Sequence, residues 1–369
     1  MRQTPLIEAH RNAGAKLVDF AGWEMPIQYS GVVDEYHTVR RQAGLFDVSH
    51  MGRITVTGPG SLAFLQYVTT NDVSTLSVRQ SQYSMVCSKE GGIKDDIFIY
   101  HVAPYEFLIC VNASNREKIL AWLHTQASKA QGCTVVDQSA TMAQIAIQGP
   151  ASREVLAAAG IVDLATLKVR HCLQTTLREQ SVLVTRTGYT GELGYELYLP
   201  AEGAADTWQH LLAVGQPFGL KPAGLGARDL LRLEMAYLLY GNDMDEQTTP
   251  LEAGAGWVVK FEKGEFIGRT TLLAQQATGP AKRLIAFELV EKAVPRHGFQ
   301  ILHPEAPHAP VGLVTSGNLS PLLQKGIGLG YVPPTLATPG SALRIEIRGR
   351  SCPAVVVTPP FYKKKVGTS

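Results

Sequence analysis

Apolar residues recur along this chain in two periods, and each change of period predicts a change of secondary structure. Arg53 to Thr57 alternate as a strand, and Gly58-Pro59-Gly60 breaks that pattern before the helical run SLAFLQYVTT. Two β-rich runs follow, QYSMVCS and DDIFIYHV, separated by KEGGIK, whose Gly91-Gly92 pair suits a hairpin connection. The strand EFLICVN runs into Ser114-Asn115-Arg116-Glu117, a capping-box spacing that predicts a helix over KILAWLHTQA. CTVVD and QIAIQG are the next strands. Strands alternating with two helices in this order predict a split βαβ unit in a two-layer α+β domain.

Gly149-Pro150 punctuates the pattern. Beyond it come the helical ASREVLAAAG, the strands TTLRE and SVLVTRT, the loop GYTGELG, the strand YELYLP and the helical TWQHLLAVG. A further helix is expected over GARDLLRLEMAYLL, with Leu230, Leu233 and Leu238 among its apolar positions. From about Lys282 the texture changes to short β-rich runs (RLIAFELV, GLVTSG, GIGLGYV, ALRIEIR, CPAVVVT) between Gly and Pro turns, the pattern of a small all-β barrel or sandwich. The expected organisation is an α+β chain of three domains: 1–149, 150–280 and 281–369.

Composition narrows the function. A formal charge of +2 is too small for a nucleic-acid or membrane surface, and the one basic run, Lys363-Lys364-Lys365, reads as a solvated tail or a landing site for an anionic group. The five cysteines are scattered, with no Cys-x-x-Cys pair, so neither a disulfide framework nor a structural zinc site is expected. Ten histidines form no ligand-spaced cluster, and no metal is expected. With no signal-peptide pattern at the N-terminus and no long apolar stretch, a cytoplasmic location is expected. GIGLGY (326–331) lacks the nucleotide-loop fingerprint, and its glycines read as turn residues. Ser49-His50 adjacency is no sign of a hydrolase triad, whose members meet through the fold.

Two places carry polar groups that a core would not require. Asp95 and Asp96 open a strand otherwise made of Ile and Phe. Such a pair reads either as a turn cap or as two carboxylates that raise each other's proton affinity beside a pocket. If Ile97 and Ile99 face one side, Asp96 and Phe98 share the other. In GYTGELGYEL, Gly188, Gly191 and Gly194 flank Tyr189, Glu192 and Glu196. That loop is either a flexible hairpin with solvated glutamates or a place where backbone approaches a flat ligand, with Tyr189 offering a ring face and Glu196 a planar acceptor pair. Arg228, at the opening of a helix, could bind an anion or form a surface ion pair.

Taken together, FAGWEMP (20–26), LFDVSHMG (45–52), GGIKDDIFIY (91–100), VNASN (111–115), GYTGELGYEL (188–197), GARDLLRLEMAYLLYGNDM (226–244), PLEAGAGWVVK (250–260) and GLVTSGNLSP (312–321) resemble the aminomethyltransferase, or T-protein, family of the glycine cleavage system. The matches run in the family's order over nearly the whole chain. The resemblance implies three domains around a tetrahydrofolate-binding opening. It also implies transfer of an aminomethyl group from the dihydrolipoyl arm of the lipoylated H-protein to tetrahydrofolate, giving 5,10-methylenetetrahydrofolate and ammonia. It implies a functional link to glycine decarboxylase and dihydrolipoyl dehydrogenase as well. On the motif match the catalytic aspartate falls on Asp96, the pterin-binding glutamate on Glu196 and the binding arginine on Arg228, with Tyr189, Asn112 and Tyr83 as pocket neighbours. A C-terminal aromatic contact falls on Tyr362 or on Phe361.

Folate-binding relatives that assist iron–sulfur protein maturation carry a K-G-C-Y-x-G-Q-E motif, whereas residues 260–269 here read KFEKGEFIGR, without cysteine. A folate-dependent demethylase is the other alternative, and its sarcosine- or dimethylglycine-oxidising forms would bring a flavin domain for which the chain shows no fingerprint.

Overall fold

The expected alternation of strands and helices is present in the computed structural model, which describes residues 1–306 and 308–363. Lys364 and Lys365 of the basic run lie outside the described residues. The chain divides into two compact units. One comprises Met1–Val86, Lys94–Asp229 and Glu262–Phe266; the other comprises Cys87–Ile93, Leu230–Phe261 and the chain from Ile267 onward. Among the described residues, no helix is long and apolar enough to cross a membrane.

The first unit contains two large sheets. A five-stranded sheet has the order Ser81–Cys87, Ile93–Ala103, Glu106–Val111, Gly52–Thr57, Thr134–Asp137. Helix Ser61–Val68 connects strand Gly52–Thr57 to Ser81–Cys87, and helix Arg116–Ala127 connects Glu106–Val111 to Thr134–Asp137, as a split βαβ arrangement requires. A six-stranded sheet has the order Cys172–Leu177, Gln180–Thr185, Gly194–Pro200, Met142–Gln148, Ala43–Asp47, Leu220–Pro222, with only the last pair parallel. Its apolar face packs Ile145, Ile147 and Leu197 with Leu156, Trp208 and Leu211 of helices Ser152–Ala158 and Ala204–Gly215. Strand Ala43–Asp47 is buried at every position, so it shows no alternation in sequence. The segment Glu262–Phe266 is tied down by Lys263 Nζ, which donates to the carbonyls of Gln66 at 2.7 Å and Asn71 at 2.8 Å, and also to that of Thr69.

The expected capping box does not form. Asn115 is the N-cap of helix Arg116–Ala127 and makes no side-chain cap bond, because its amide donates to Asp95 Oδ1 at 2.6 Å. Ser114 is exposed in a preceding 3₁₀ turn.

The helix expected over GARDLLRLEMAYLL spans only Leu225–Glu234. Ala236 takes a left-handed φ of 55°, Tyr237 N–H bonds to Arg232 O at 3.0 Å and Ala236 N–H to Leu233 O at 2.8 Å. This is a Schellman stop with Ala in the position usually held by Gly, so the sequence carries no warning of it. The returning chain is locked by the buried Arg232, which donates to Asp243 Oδ2 at 2.7 Å and to Ser316 Oγ at 2.8 Å.

In the second unit six strands close a barrel in the order Arg283–Leu289, Lys325–Val332, Pro310–Ser320, Gln300–Leu302, Ala342–Ile347, Arg350–Val357. Five match the expected β runs, and Gln300–Leu302 is the short strand that completes closure. The glycines of GIGLGY are strand residues rather than turn residues. A Cβ on Gly328 would lie 2.5 Å from Phe287 Cζ and one on Gly330 2.6 Å from Ile301 Cδ1, so they make room for the barrel core.

The turn Gly91-Gly92 is constrained in the same way. A Cβ on Gly92 would lie 1.9 Å from Glu246 O, a backbone atom, while Ile93 N–H bonds to Thr248 O at 2.9 Å. Gly92→Ala is therefore expected to destabilise the protein by about 1–3 kcal/mol, the usual cost of forcing backbone apart. A calorimetric Tm equal to the parent's would contradict this.

Candidate active site

Strand alternation sends the two adjacent carboxylates to opposite faces. Asp95 is fully buried with Ile97 and Ile99, whereas Asp96 and Phe98 are half-buried on the other face. Asp96 Oδ2 accepts from Tyr83 Oη at 2.9 Å, and Asp96 Oδ1 accepts from Asn112 Nδ2 at 2.6 Å. Tyr83 comes from the neighbouring strand Ser81–Cys87, and Asn112 immediately follows strand Glu106–Val111. Three of the expected site residues therefore meet across three neighbouring strands. Burial and the Asp96 charge push the Tyr83 phenol well above its ordinary range, so Tyr83 is a neutral donor. Burial and the same charge hold the Asp95 carboxyl well above the usual carboxylate range, against the pull of donors from Asn115 and Asn112.

A row of rings connects this group to Glu196. Tyr83 and Phe98 have centroids 6.0 Å apart, Phe98 and Tyr100 5.7 Å, and Tyr100 and Tyr198 5.5 Å. Tyr100 Oη lies 3.3 Å from Thr187 Oγ1, which donates to Glu196 Oε2 at 2.5 Å. Gln144 Nε2 donates to Glu196 Oε1 at 3.2 Å and to Tyr198 Oη at 3.1 Å. Burial, reinforced by Glu196, pushes the phenols of Tyr100 and Tyr198 well up, so both are neutral. Glu196 is thus a carboxylate 9% exposed in an aromatic wall, and each oxygen keeps acceptor capacity beyond the bond it accepts from Gln144 or Thr187.

The glycine loop has a different physical basis from the one its sequence suggests. A Cβ on Gly188 would lie 2.1 Å from Gln148 Oε1, and one on Gly194 2.4 Å from the same atom. The buried Gln148 amide fills the loop, accepting from Thr190 Oγ1 at 2.9 Å and donating to Thr187 O at 3.3 Å. Arg40 adds a second tie, donating to Thr190 O at 2.7 Å and pairing with Glu192 at 3.0 Å out of solvent. Glu192 is therefore committed to Arg40, and Glu196 is the glutamate on the aromatic wall. Tyr189 projects from this braced loop, and the Arg228 guanidinium lies over its ring at 4.7 Å from the centroid.

Tyr362 is half-buried and its N–H bonds to Glu234 O at 3.0 Å, while Phe361 is buried with Leu233, Ala286, Ile327 and Leu329. Both belong to the second unit, whereas Asp96, Glu196, Arg228, Tyr189, Asn112 and Tyr83 all belong to the first. Ser49 Oγ donates to Gln144 O at 3.1 Å, so Ser49-His50 is no nucleophile–base pair. Burial pushes the His50 imidazole down to about 3, with the opposing Asp47 charge outweighed, so it is neutral. Among the described residues, no group of three or more His, Cys, Asp or Glu side chains is placed to hold a metal ion.

Tyr100, Thr187, Gln144 and Tyr198 were not singled out by sequence, and Phe98 only as sharing the face of Asp96. The alternation in SVLVTRT carries a signal for one of them, because Thr185 and Thr187 fall on the same face, with Thr185 Oγ1 2.6 Å from Thr187 Oγ1. Gln144 and Tyr198 meet only through the pairing of strands Met142–Gln148 and Gly194–Pro200, where they are directly opposite.

Comparison with known proteins places this chain in a family. The GCVT N-terminal domain model matches residues 6–263, and the glycine cleavage T-protein C-terminal barrel domain model matches residues 282–363. The chain is 47% identical to an aminomethyltransferase of Halothermothrix orenii, over 98% of this chain and 100% of that one. It is 44% identical to an aminomethyltransferase of Desulfitobacterium hafniense, over 99% of each. The crystal structure of glycine cleavage system aminomethyltransferase T from Bartonella henselae superposes with a TM-score of 0.92 at 34% identity, covering 98% of both chains. The chain belongs to the aminomethyltransferase, or T-protein, family of the glycine cleavage system, and it is a folate-dependent transferase.

Proposed function

We propose that the aminomethyl transfer takes place at Asp96, with the pterin of tetrahydrofolate held by Glu196 and the one-carbon unit delivered on the dihydrolipoyl arm of the H-protein. The observation that carries this reading is the half-buried Asp96 carboxylate, fixed by Tyr83 at 2.9 Å and Asn112 at 2.6 Å and joined to Glu196 by a continuous aromatic wall.

The chemistry asks for two kinds of group. A pterin presents adjacent N–H donors on its pyrimidine edge, and a carboxylate whose oxygens are oriented by Thr187 and Gln144 matches them bidentately. Phe98, Tyr100 and Tyr83 supply flat apolar surface for the ring system, and the Arg228 and Tyr189 pair supplies a stacked cation for an anionic group.

The transferred carbon begins bonded to sulfur and to nitrogen and ends bonded to folate N5 and N10. The two folate N–H protons leave with the ammonia and the thiol, so no oxidant or metal is needed. Positive charge develops on the carbon and nitrogens as the first bond breaks. A carboxylate held rigidly by two donors stabilises that charge without reorganising during the reaction. Holding the nucleophilic nitrogen against the aminomethyl carbon supplies further barrier reduction by proximity.

Five free cysteines, four of them buried, support a reducing compartment, and with it the cytoplasm. We assign the lipoylated H-protein as the direct partner, with glycine decarboxylase and dihydrolipoyl dehydrogenase acting on the same arm before and after this step. Ammonia release from aminomethylated H-protein in the presence of tetrahydrofolate tests the whole reading, and its absence under saturating conditions would overturn it. An Asp96→Asn enzyme should keep its folate affinity while kcat falls by about 100-fold or more, the usual loss when an acid–base or charge-stabilising group is removed. Near-normal turnover would remove Asp96 from the mechanism. Glu196→Gln should raise the Kd for tetrahydrofolate by about tenfold, the equivalent of one charge-assisted hydrogen bond. An unchanged Kd by calorimetric titration would count against Glu196 as the pterin ligand.

A further inference from the structure

The carboxylate that the reaction does not use is also the better held of the two. Asp95 Oδ1 accepts from Asn112 Nδ2 at 2.8 Å and from Asn115 Nδ2 at 2.6 Å, and Asp95 Oδ2 accepts from Asn112 N–H at 3.0 Å. All three donors come from one short turn, closed by Asn115 N–H to Asn112 O at 3.0 Å. The same Asn112 Nδ2 reaches Asp96 Oδ1 at 2.6 Å and Asp96 O at 3.1 Å. One amide therefore joins two carboxylates that point to opposite faces of their strand. Register explains how. Phe98 pairs with Cys110, so continuing that pairing by two residues sets Asp96 opposite Asn112.

A purely structural anchor for this turn would not need a second ionisable carboxyl beside the reacting one, since two carboxyls this close disfavour each other's charged form. The turn does need an acceptor at both oxygens. An Asn at position 95 would aim its own N–H₂ at Asn112 N–H or at the two side-chain amides. The arrangement thus brings a second buried carboxyl next to Asp96 and fixes the amide that orients it.

We propose that Asp95 is a positioning residue for the transfer, fixing the Asn112 amide between the two carboxylates and making the Asp95/Asp96 pair take up and release its proton as one unit. This inference rests on Asp96 being the reacting carboxylate. Groups that face the pair include the neutral Tyr83 from strand Ser81–Cys87 and the uncharged Asn112 and Asn115 from the turn. Burial and the Asp96 charge already hold the Asp95 carboxyl high, as expected for two coupled acids that share a site.

The test is the pH dependence of kcat for Asp95→Asn and for Asn115→Ala, beside Asp96→Asn and the Asp95→Asn/Asp96→Asn double variant. Asp95→Asn should lower kcat by about tenfold, equivalent to losing one oriented hydrogen bond, with the KM for tetrahydrofolate within about threefold of the parent. Its acid limb should move, because the proton taken up by the coupled pair now has only Asp96 to bind. Asn115→Ala, which keeps both carboxyls and Asn112, should lower kcat by a smaller factor at unchanged KM. Its own kcat decides the question if Asp95→Asn fails to fold. In the double variant, the Asp95 change should cost little once Asp96 is gone. Parental kcat and an unmoved acid limb in Asp95→Asn, or parental kcat in Asn115→Ala, would overturn the proposal. If Asp96→Asn abolishes turnover in that case, Asp96 stands as the reacting group and only the coupling is wrong; if Asp96→Asn retains turnover, the reading beneath it fails.

Discussion

The site depends on a buried carboxylate accepting three N–H bonds from one turn. Asp95 is out of solvent, and losing it would orphan Asn112 N–H and leave the Asn115 side-chain amide without its acceptor, at about 1–3 kcal/mol for each buried polar group. That constraint fixes where Asn112 sits, and Asn112 in turn fixes Asp96. It also explains why the helix Arg116–Ala127 starts without a side-chain cap. The residue in the cap position, Asn115, is held to Asp95 instead. Local helix stability gives way here to the geometry of the site, as is common where function and propensity compete.

Glu196 follows the same logic in the other sheet. Its oxygens are oriented by Thr187 and Gln144 before any ligand arrives, and the loop that follows Thr187 is braced from within by Gln148 and from outside by Arg40. Both halves of the proposed site are carried by paired strands and buried amides, so their carboxylates are held in place without a ligand. Such rigidity suits a reaction whose main demand is positioning.

Much of this was legible in the sequence. Alternation in DDIFIYHV separated Asp95 from Asp96 correctly, because strand geometry has a strict period of two and both faces carry distinct residue types. The barrel was legible from its Gly- and Pro-punctuated runs, although the three-residue strand Gln300–Leu302 is too short to show a period. Strand Ala43–Asp47 was hidden because a strand buried on both faces has no polar partner to alternate with. The stop at Glu234 was hidden because Ala236 adopts a left-handed conformation that sequence associates with Gly. The aromatic wall was illegible for another reason. Phe98, Tyr100 and Tyr198 are ordinary core residues in sequence, and only cross-strand and cross-sheet packing reveals that they line one surface. The glycines of GYTGELG left two readings open, a flexible hairpin or backbone approach to a flat ligand, and at Gly188 and Gly194 the group that comes close is the side chain of Gln148.

The most direct test of the central claim is a crystal structure of the enzyme with tetrahydrofolate. The account predicts the pterin pyrimidine edge within hydrogen-bonding distance of both Glu196 oxygens, the ring against Phe98 and Tyr100, and the N5 and N10 end of the folate turned toward Asp96. A pterin bound away from Glu196, or bound there with N5 turned away from Asp96, would contradict it.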